Sequence, residues 1–196
     1  MYFCFVYSTD EDLILEILES SEHLTKLKLS WCKSLTTLPD SISKLVNLTE
    51  LSLGGCSSLT TLPDSIGKLV NLTELVLDGC DNLTTLPETI INIPFFQTRS
   101  LKLALTGLTT LPDSIGKLVK LTSLSLERCR SLTTLPDTIG KLVNLTSLDL
   151  SHCSSLETLP DSISKLVNLT SLLLYHCNAT VPKSITDMLN LEIQGV

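Results

Sequence analysis

The chain has 196 residues and a formal net charge of −7, which is enough length for one medium domain with a sizeable core. Because an acidic surface repels phosphate groups, we expect neither nucleic-acid binding nor electrostatic attraction to anionic membranes. Hydrophobic residues make up 43% of the chain, whereas aromatic residues make up only 4%. The composition therefore predicts an aliphatic core and excludes a large aromatic pocket for a cofactor.

The first 23 residues differ from the rest of the chain. Met1–Tyr7 is compatible with a strand, and its apolar stretch is too short to cross a membrane. No basic residue precedes it as in a signal peptide, so we expect a cytoplasmic protein. Residues 10–22 have the pattern of an amphipathic helix with an acidic start. Residues 1–23 are therefore predicted to form an N-terminal cap, a strand plus a helix, over the first repeat.

Internal repetition governs residues 24–182. The unit Leu48–Asn71 reads LTELSLGGCSSLTTLPDSIGKLVN, and the next unit begins LTELVLDGCDNLTTLPETI. Seven of the eight prolines mark the period, with spacings of 24, 24, 25, 24, 24 and 22 residues: Pro39, Pro63, Pro87, Pro112, Pro136, Pro160 and Pro182. The pattern predicts seven stacked repeats, each packing against its neighbours. Residues 183–196 form half a unit, either a C-terminal half repeat or a cap.

Each unit combines two spacings of apolar residues. Leu51 and Leu53 are two residues apart, as on one face of a strand, whereas Ile66 and Leu69 are three apart, as on a helical turn. Between them, Pro63 suits the first position of a short helix. We therefore expect an α/β solenoid with a parallel sheet of about seven strands on a concave face. Short helices or 3₁₀ turns should lie on the convex side.

The unit resembles the leucine-rich repeat, written here as LxxLxLxxCxxLxxLPxxIxxLxx. Its Cys and its LP followed by Ile are similar to the repeats of plant intracellular disease-resistance receptors and plant Ras-group repeat proteins. The resemblance covers about Leu24 to Asn190. It implies a right-handed, curved solenoid that binds ligands on its concave face. The nucleotide-binding domain of those receptors has no counterpart here, since no G-x-x-x-x-G-K-[ST] motif occurs.

The fourth unit departs from the pattern. Two residues are inserted before Leu101, and one residue is missing before Leu108. By this count, Thr106 stands where the other units place Cys. Phe95 and Phe96 fall in the same break, and two interpretations are open. The rings fill a gap between repeats, or they form an exposed aromatic patch for a ligand.

Six cysteines share one position of the repeat: Cys32, Cys56, Cys80, Cys129, Cys153 and Cys177. We interpret them as a ladder of small buried side chains at the corner after each strand, with thiols bonded weakly to the turn backbone. The odd total of seven cysteines and the expected cytoplasmic setting argue against disulfides. Because the paired C-x₂-C spacing of zinc sites is missing, we expect no metal and no cofactor.

Two further motifs also follow from the repeat. Six N-x-[ST] sequons occur, at Asn47, Asn71, Asn82, Asn144, Asn168 and Asn178, and they would matter only in a secreted protein. His152 and His176 each precede a cysteine, but adjacent residues point in different directions, so no nucleophile–base pair is implied. The two histidines lie 24 residues apart and should stack on neighbouring repeats. We expect no catalytic residues and no enzyme.

The variable positions beside the strand leucines carry any specificity, because they point away from the core. The residue that follows them should lie at the edge of the sheet: Trp31, Gly55, Gly79, Leu105, Arg128, His152 and His176. Arg, Tyr and Trp are enriched in interface hot spots. We therefore expect a partner on the concave face, anchored near Arg128 and Tyr175. The candidate partner-binding residues are Trp31, Arg128, Asp149, His152, Leu173, Tyr175 and His176.

The sequence thus predicts a monomeric, non-enzymatic protein–protein interaction module whose partner is a protein on its concave face. Such a module would suit a chain involved in sensing or signalling. The alternative is a structural or self-assembling repeat protein that joins through its C-terminal half unit.

Overall fold

The structure, a computed structural model, describes residues 3–5, 23–97 and 99–195. It divides into two compact units, Met1–Phe96 and Gln97–Val196. The helix predicted over residues 10–22 lies outside the described residues. The boundaries predicted for the two caps, at residues 23 and 183, stay predictions.

Every repeat contributes a three-residue parallel strand. The first unit has a sheet in the order β1 (Phe3–Phe5), β2 (Lys26–Lys28), β3 (Glu50–Ser52) and β4 (Glu74–Val76). The second has β5 (Ser100–Lys102), β6 (Ser123–Ser125), β7 (Ser147–Asp149), β8 (Ser171–Leu173) and β9 (Glu192–Gln194). Central leucines pair from strand to strand, as Leu27 does with Leu51. The parallel repeat fold is confirmed, but the described strands form two sheets rather than one, with β1 and β9 extending them.

A short helical turn follows each strand from β2 to β8. The 3₁₀ turns are η1 (Asp40–Lys44), η2 (Asp64–Lys68), η3 (Glu88–Asn92), η4 (Pro94–Gln97), η5 (Asp113–Lys117), η6 (Asp137–Lys141) and η7 (Asp161–Lys165), and a short helix, α1, spans Lys183–Thr186. Pro63 precedes η2 with an extended backbone at φ −71° and ψ 151°, so it caps the turn instead of occupying its first position. Its carbonyl accepts the N–H of Ile66 at 3.0 Å, which closes the turn.

The core is a stack of aliphatic side chains contributed by both the strands and the turns. Leu51, Leu53, Ile66 and Leu69 are fully buried, and the equivalent residues of the other repeats are buried to a similar degree. Burial of one such side chain stabilises the fold by about 1.5–3 kcal/mol. Because a single repeat has no second layer to cover its leucines, this burial depends on the stacking of neighbours.

Polar side chains also join each repeat to the one before it. Thr49 Oγ1 donates to the carbonyl of Thr25 at 2.9 Å. Asn144 Nδ2 donates to the carbonyl of Val119 at 2.8 Å, and Asn168 Nδ2 does the same to Val143. The recurring N-L-T sequence therefore has a structural cause, since its amide and hydroxyl satisfy backbone carbonyls along the stack.

The insertion in the fourth unit lies between Phe96 and Arg99. The N–H of Phe96 donates to the carbonyl of Ile93 at 3.0 Å, as the N–H of Leu72 donates to that of Leu69. Phe96 thus takes the place of a core leucine, and it is only 1% exposed. The gap-filling interpretation is confirmed for Phe96, whereas the side chain of Phe95 lies outside the described residues.

The deletion in this unit removes a residue at the corner after β5. The N–H of Leu108 donates to the carbonyl of Leu105 at 3.2 Å, as the N–H of Leu59 donates to that of Cys56. Leu105 therefore occupies the cysteine position, where it is buried. Two predictions were wrong: Thr106 does not replace the cysteine, and Leu105 does not lie at the sheet edge. In the other repeats the corner residue before the cysteine position has a positive φ, whereas Leu105 does not. The missing residue is therefore that corner residue.

Candidate partner-binding surface

The chain turns sharply after each strand, and the residue at that corner has a left-handed backbone. We call these residues the corner column: Trp31, Gly55, Gly79, Arg128, His152 and His176, with φ values from 54° to 77°. A residue with a Cβ atom is disfavoured there by about 1–2 kcal/mol, whereas glycine is not. Backbone bonds hold the conformation at four of these corners, because the N–H groups of Trp31, Gly55, Arg128 and His152 donate to the next repeat, as His152 N does to Tyr175 O at 2.7 Å. Four repeats nevertheless carry a large side chain at this strained position.

In the first unit the corner column consists of one tryptophan and two glycines. A Cβ atom on Gly55 would lie 2.6 Å from two ring carbons of Trp31, so the indole lies directly over the Gly55 backbone. Trp31 is still 67% exposed. The glycine therefore provides space for a flat aromatic surface that is open to solvent.

In the second unit the corner column carries polar rings and a guanidinium group. The imidazoles of His152 and His176 stack with centroids 4.8 Å apart and planes inclined by 19°. The predicted stacking on neighbouring repeats is confirmed. Arg128 is exposed, and its Nε lies 3.5 Å from Glu127, which also binds Lys102 Nζ at 3.0 Å. The predicted anchor therefore belongs to a three-residue charge cluster.

The strand residues next to the corner column complete this surface. Asp149 accepts hydrogen bonds from the N–H of Ser151 at 2.9 Å and from Ser125 Oγ at 3.4 Å, so it also orders the turn. Leu173 lies beside Asp149 in the sheet register and is half-buried. Tyr175 is 46% exposed, and its hydroxyl donates to Gln194 Oε1 at 3.0 Å. Six of the seven predicted residues thus lie on adjacent repeats of the second unit, and Trp31 lies on the first.

An ionic cluster on the first unit was not predicted. Glu50 receives Lys26 Nζ at 2.6 Å and Lys28 Nζ at 2.7 Å, and its side chain is only 8% exposed. Hydrogen bonds from these two lysines, together with their charges, lower the pKa of Glu50 below its usual value. The alternation of Lys26 and Lys28 with Leu27, and the parallel pairing of Lys26 with Glu50, were the signals that could have revealed it.

The cysteine ladder is confirmed as a structural feature. Cys56 Sγ donates to the carbonyl of Leu29 at 2.9 Å, and Cys153 Sγ donates to that of Leu126 at 3.2 Å. Burial raises the pKa of Cys56 to about 11 and that of Cys80 to about 12. These thiols therefore stay protonated near neutral pH and are poor nucleophiles. None of the six cysteines from Cys32 to Cys177 forms a disulfide bond.

Within the described ranges, no group of three or more His, Cys, Asp or Glu side chains could hold a metal ion. Among the same residues, no helix combines the length and the apolar character needed to cross a bilayer. The corner column and the strand residues beside it present exposed and half-buried side chains on a repeat framework.

Two family models match the chain, and both describe leucine-rich repeats. The model "Leucine-rich repeat region" matches residues 113–194, and the model "R13L1/DRL21 LRRs" matches residues 6–80. No curated protein matches the chain.

Solved structures of leucine-rich-repeat proteins are also similar. The leucine-rich repeat domain of the type III effector XopL is 28% identical, with a TM-score of 0.60, over 88% of this chain and 68% of that one. The Leptospira interrogans LRR protein LIC12759 is 28% identical, with a TM-score of 0.49, over 100% of this chain and 58% of that one. The plant peptide hormone receptor RGFR1, solved in complex with RGF2, is 24% identical, with a TM-score of 0.43, over 88% and 36%. From the two model matches and the repeat architecture, the chain belongs to the leucine-rich-repeat proteins.

Proposed function

We propose that this chain is a non-enzymatic module that recognises a protein partner. The contacts would be made by the corner column of its second unit and by the strand residues next to that column. The proposed contacts there are Arg128, Asp149, His152, Leu173, Tyr175 and His176. Trp31 provides a separate contact on the first unit. The observation that carries the proposal is the presence of large side chains at left-handed corners that suit glycine.

The backbone strain at these corners is informative because glycine, which is not strained there, would serve the same framework. Gly55 and Gly79 occupy the corner in two repeats, so the fold itself does not require a side chain there. Residues in disfavoured backbone conformations cluster at functional sites, where the side chain contributes something that glycine lacks. At Arg128, His152 and His176 that contribution is a row of polar groups at the solvent-facing edge of three adjacent repeats.

The composition of this surface supports a protein as the partner. Exposed Arg128 and Tyr175 belong to the residue types that dominate interface hot spots, and half-buried Leu173 adds apolar area. A surface of mixed polarity is typical of non-obligate protein interfaces. The buried free thiols suit a reducing compartment, which supports a cytoplasmic setting for the interaction.

Affinity capture from the source cells tests the proposal. Wild type should retain a partner that is lost from an Arg128→Glu/Tyr175→Ala variant, because the charge and the ring would both be removed from the contact. A His152→Gly/His176→Gly variant should also lose it, and this change suits the local backbone. Light scattering of the captured complex would distinguish a different protein from a second copy of this chain.

The matched control is Val143→Ala/Val167→Ala, which alters exposed side chains after the 3₁₀ turns, away from the corner column. It should retain the partner. Retention of the partner by all three variants would overturn the proposed surface. A captured second copy as the sole partner would favour the structural, self-assembling function instead.

A further inference from the structure

A groove lies on the second unit where the strands begin, at the other end of the strands from the corner column. It has a volume of about 650 Å³ and is lined by Arg99, Lys120, Thr122, Asn144, Thr146, Asn168 and Thr170. This volume is within the usual range of small-molecule sites. None of the lining residues belongs to the surface proposed for the protein partner.

The two cations of the groove are departures from an otherwise regular framework. Arg99 stands where six other repeats have threonine: Thr25, Thr49, Thr73, Thr122, Thr146 and Thr170. Lys120 stands where the equivalent residues are Asn47, Asn71, Asn144 and Asn168. Both departures replace a neutral residue by a cation, they lie near the start and at the end of the same irregular unit, and both line the same groove.

The charge of the groove contrasts with that of the chain. The formal net charge is −7, yet the lining contains two cations and no carboxylate. Arg99 and Lys120 are exposed, and no described Asp or Glu lies within ion-pair distance of either. Two neighbouring cations without a carboxylate counter-ion provide a favourable position for an anionic group, which guanidinium and ammonium groups bind through charge-assisted hydrogen bonds.

The neutral wall of the groove offers hydrogen-bond acceptors. Thr122 Oγ1 donates its proton to the carbonyl of Arg99 at 2.9 Å, and Thr146 and Thr170 donate likewise to the repeat before each. The amide of Asn144 donates to the carbonyl of Val119. The hydroxyl protons and one amide proton are already used, so the hydroxyl oxygens and the amide carbonyl remain as acceptors, and the second amide proton remains as a donor. A ligand rich in hydroxyl groups, which both donate and accept, suits this wall.

We propose that this groove binds a hydroxyl-rich small molecule that carries one anionic group, a sugar phosphate or a sugar acid. The phosphate or carboxylate lies between Arg99 and Lys120. The hydroxyl groups donate to the threonine and asparagine oxygens of the following repeats. Because the groove uses none of the partner-binding residues, this activity is independent of the proposed protein interaction.

Isothermal titration calorimetry with glucose 6-phosphate, glucuronate and glucose tests the proposal. At least one of the two anions should bind wild type more tightly than glucose does, and the anion that binds better identifies the charged group. An Arg99→Thr/Lys120→Asn variant introduces the residues that other repeats carry. It should weaken binding of that anion by about tenfold or more, since two charge-assisted contacts are lost.

The control variant Arg130→Thr/Lys141→Asn removes the same charge from exposed positions outside the groove and should change the affinity by less than about twofold, since its charges act only through screened solvent. Thermal unfolding checks that both variants fold, and the single variant Lys120→Gln repeats the test if the double variant does not. Three results would overturn the proposal: no anion binding to wild type at about 10 mM ligand, equal binding of glucose, or equal losses in both variants.

Discussion

The two units share one repeat framework but differ in what they place at its corners. The first unit has Gly55 and Gly79 in the corner column, with one exposed indole over the nearer glycine. The second has Arg128, His152 and His176 at the same backbone positions. Similar backbone geometry thus carries two glycines and one strained tryptophan in the first unit, and three strained polar side chains in the second. The comparison shows that the repeat framework fixes the position of the corner, whereas the residue there varies from glycine to large side chains.

The charged clusters of the two units also differ, in how exposed their glutamates are. Glu50 in the first unit is buried between two lysines, whereas Glu127 in the second is 29% exposed between Lys102 and Arg128. A carboxylate that is shielded from water depends on its partners, while an exposed one is stabilised by solvent. The first cluster should therefore contribute to stability, and the second remains available for contacts with a partner.

The largest expected effect concerns Phe96, the core residue at which the first unit ends. Phe96→Ala should lower the free energy of unfolding by about 3–5 kcal/mol, because it leaves a cavity in a fully packed position. Phe96→Leu, which restores the residue of the other repeats, should cost much less. Chemical denaturation followed by circular dichroism measures both. Equal, small losses for the two variants would show that the ring does not fill the gap.

The next largest effect is the difference in stability loss between variants of Glu50 and of Glu127. Glu50→Gln should lower the free energy of unfolding by about 1–3 kcal/mol, whereas Glu127→Gln should cost less than about 1 kcal/mol. The folded pKa of Glu50 lies below the ordinary value of 4.5, so its contribution is complete above that pH and is lost as the pH falls through the folded pKa. Stability measured from pH 7 to pH 3 should therefore fall less steeply in Glu50→Gln than in wild type. Parallel pH profiles would contradict the ionic cluster.

Two adjacent glycines give a matched test of the corner geometry. Gly55→Ala should destabilise the fold by about 1–2 kcal/mol, because φ is 77° and the new methyl group would meet the Trp31 ring. Gly54→Ala should be nearly neutral, since its added Cβ would have no neighbour closer than 3.8 Å. Trp31 is the one tryptophan of the chain, so its fluorescence reports the displaced indole directly. Equal effects of the two substitutions would contradict this arrangement.

The smallest expected effect lies in the second unit. His152→Gly should leave the free energy of unfolding unchanged or raise it by up to about 1 kcal/mol, because relief of backbone strain offsets the lost ring stacking and the greater freedom of the unfolded chain. Thermal denaturation of His152→Gly beside Ser154→Gly, an exposed position with an ordinary backbone, measures the difference. A clear destabilisation by His152→Gly alone would show that the imidazole serves the fold rather than a partner.

Much of the fold follows from the sequence because it depends on local periods repeated many times. The strand leucines, the turn after each proline and the cysteine ladder all reflect residue spacing that one unit already displays. The position of the deletion did not follow, since counting residues cannot tell whether the corner or the cysteine position is the one lost. Backbone hydrogen bonding at Leu105 decides it. The Glu50 cluster was missed for a similar reason: strand register brings Lys26, Lys28 and Glu50 together, and no single repeat contains all three.

The repeat positions of the candidate residues follow from the sequence, but the backbone conformation at their corners does not. Sequence pattern placed His152 and His176 on neighbouring repeats, whereas the left-handed backbone at their corner follows only from three-dimensional structure. Arg99 and Lys120 were overlooked because each looks like an isolated surface cation until the groove joins them.

The side-chain ladders give the stack a polarity. Thr49, Cys56 and Asn144 each donate to a carbonyl of the preceding repeat, so these side-chain links have their donor on the later repeat and their acceptor on the earlier one. Backbone links at the corners run the other way, since the N–H of Trp31 donates to the carbonyl of Gly54 and that of Arg128 to the carbonyl of Ser151. Removing a repeat from the N-terminal end therefore leaves side-chain donors without acceptors, whereas removing one from the C-terminal end leaves backbone N–H groups without acceptors. The two ends of the stack are not equivalent, and an engineered array built on this repeat needs a different cap at each end.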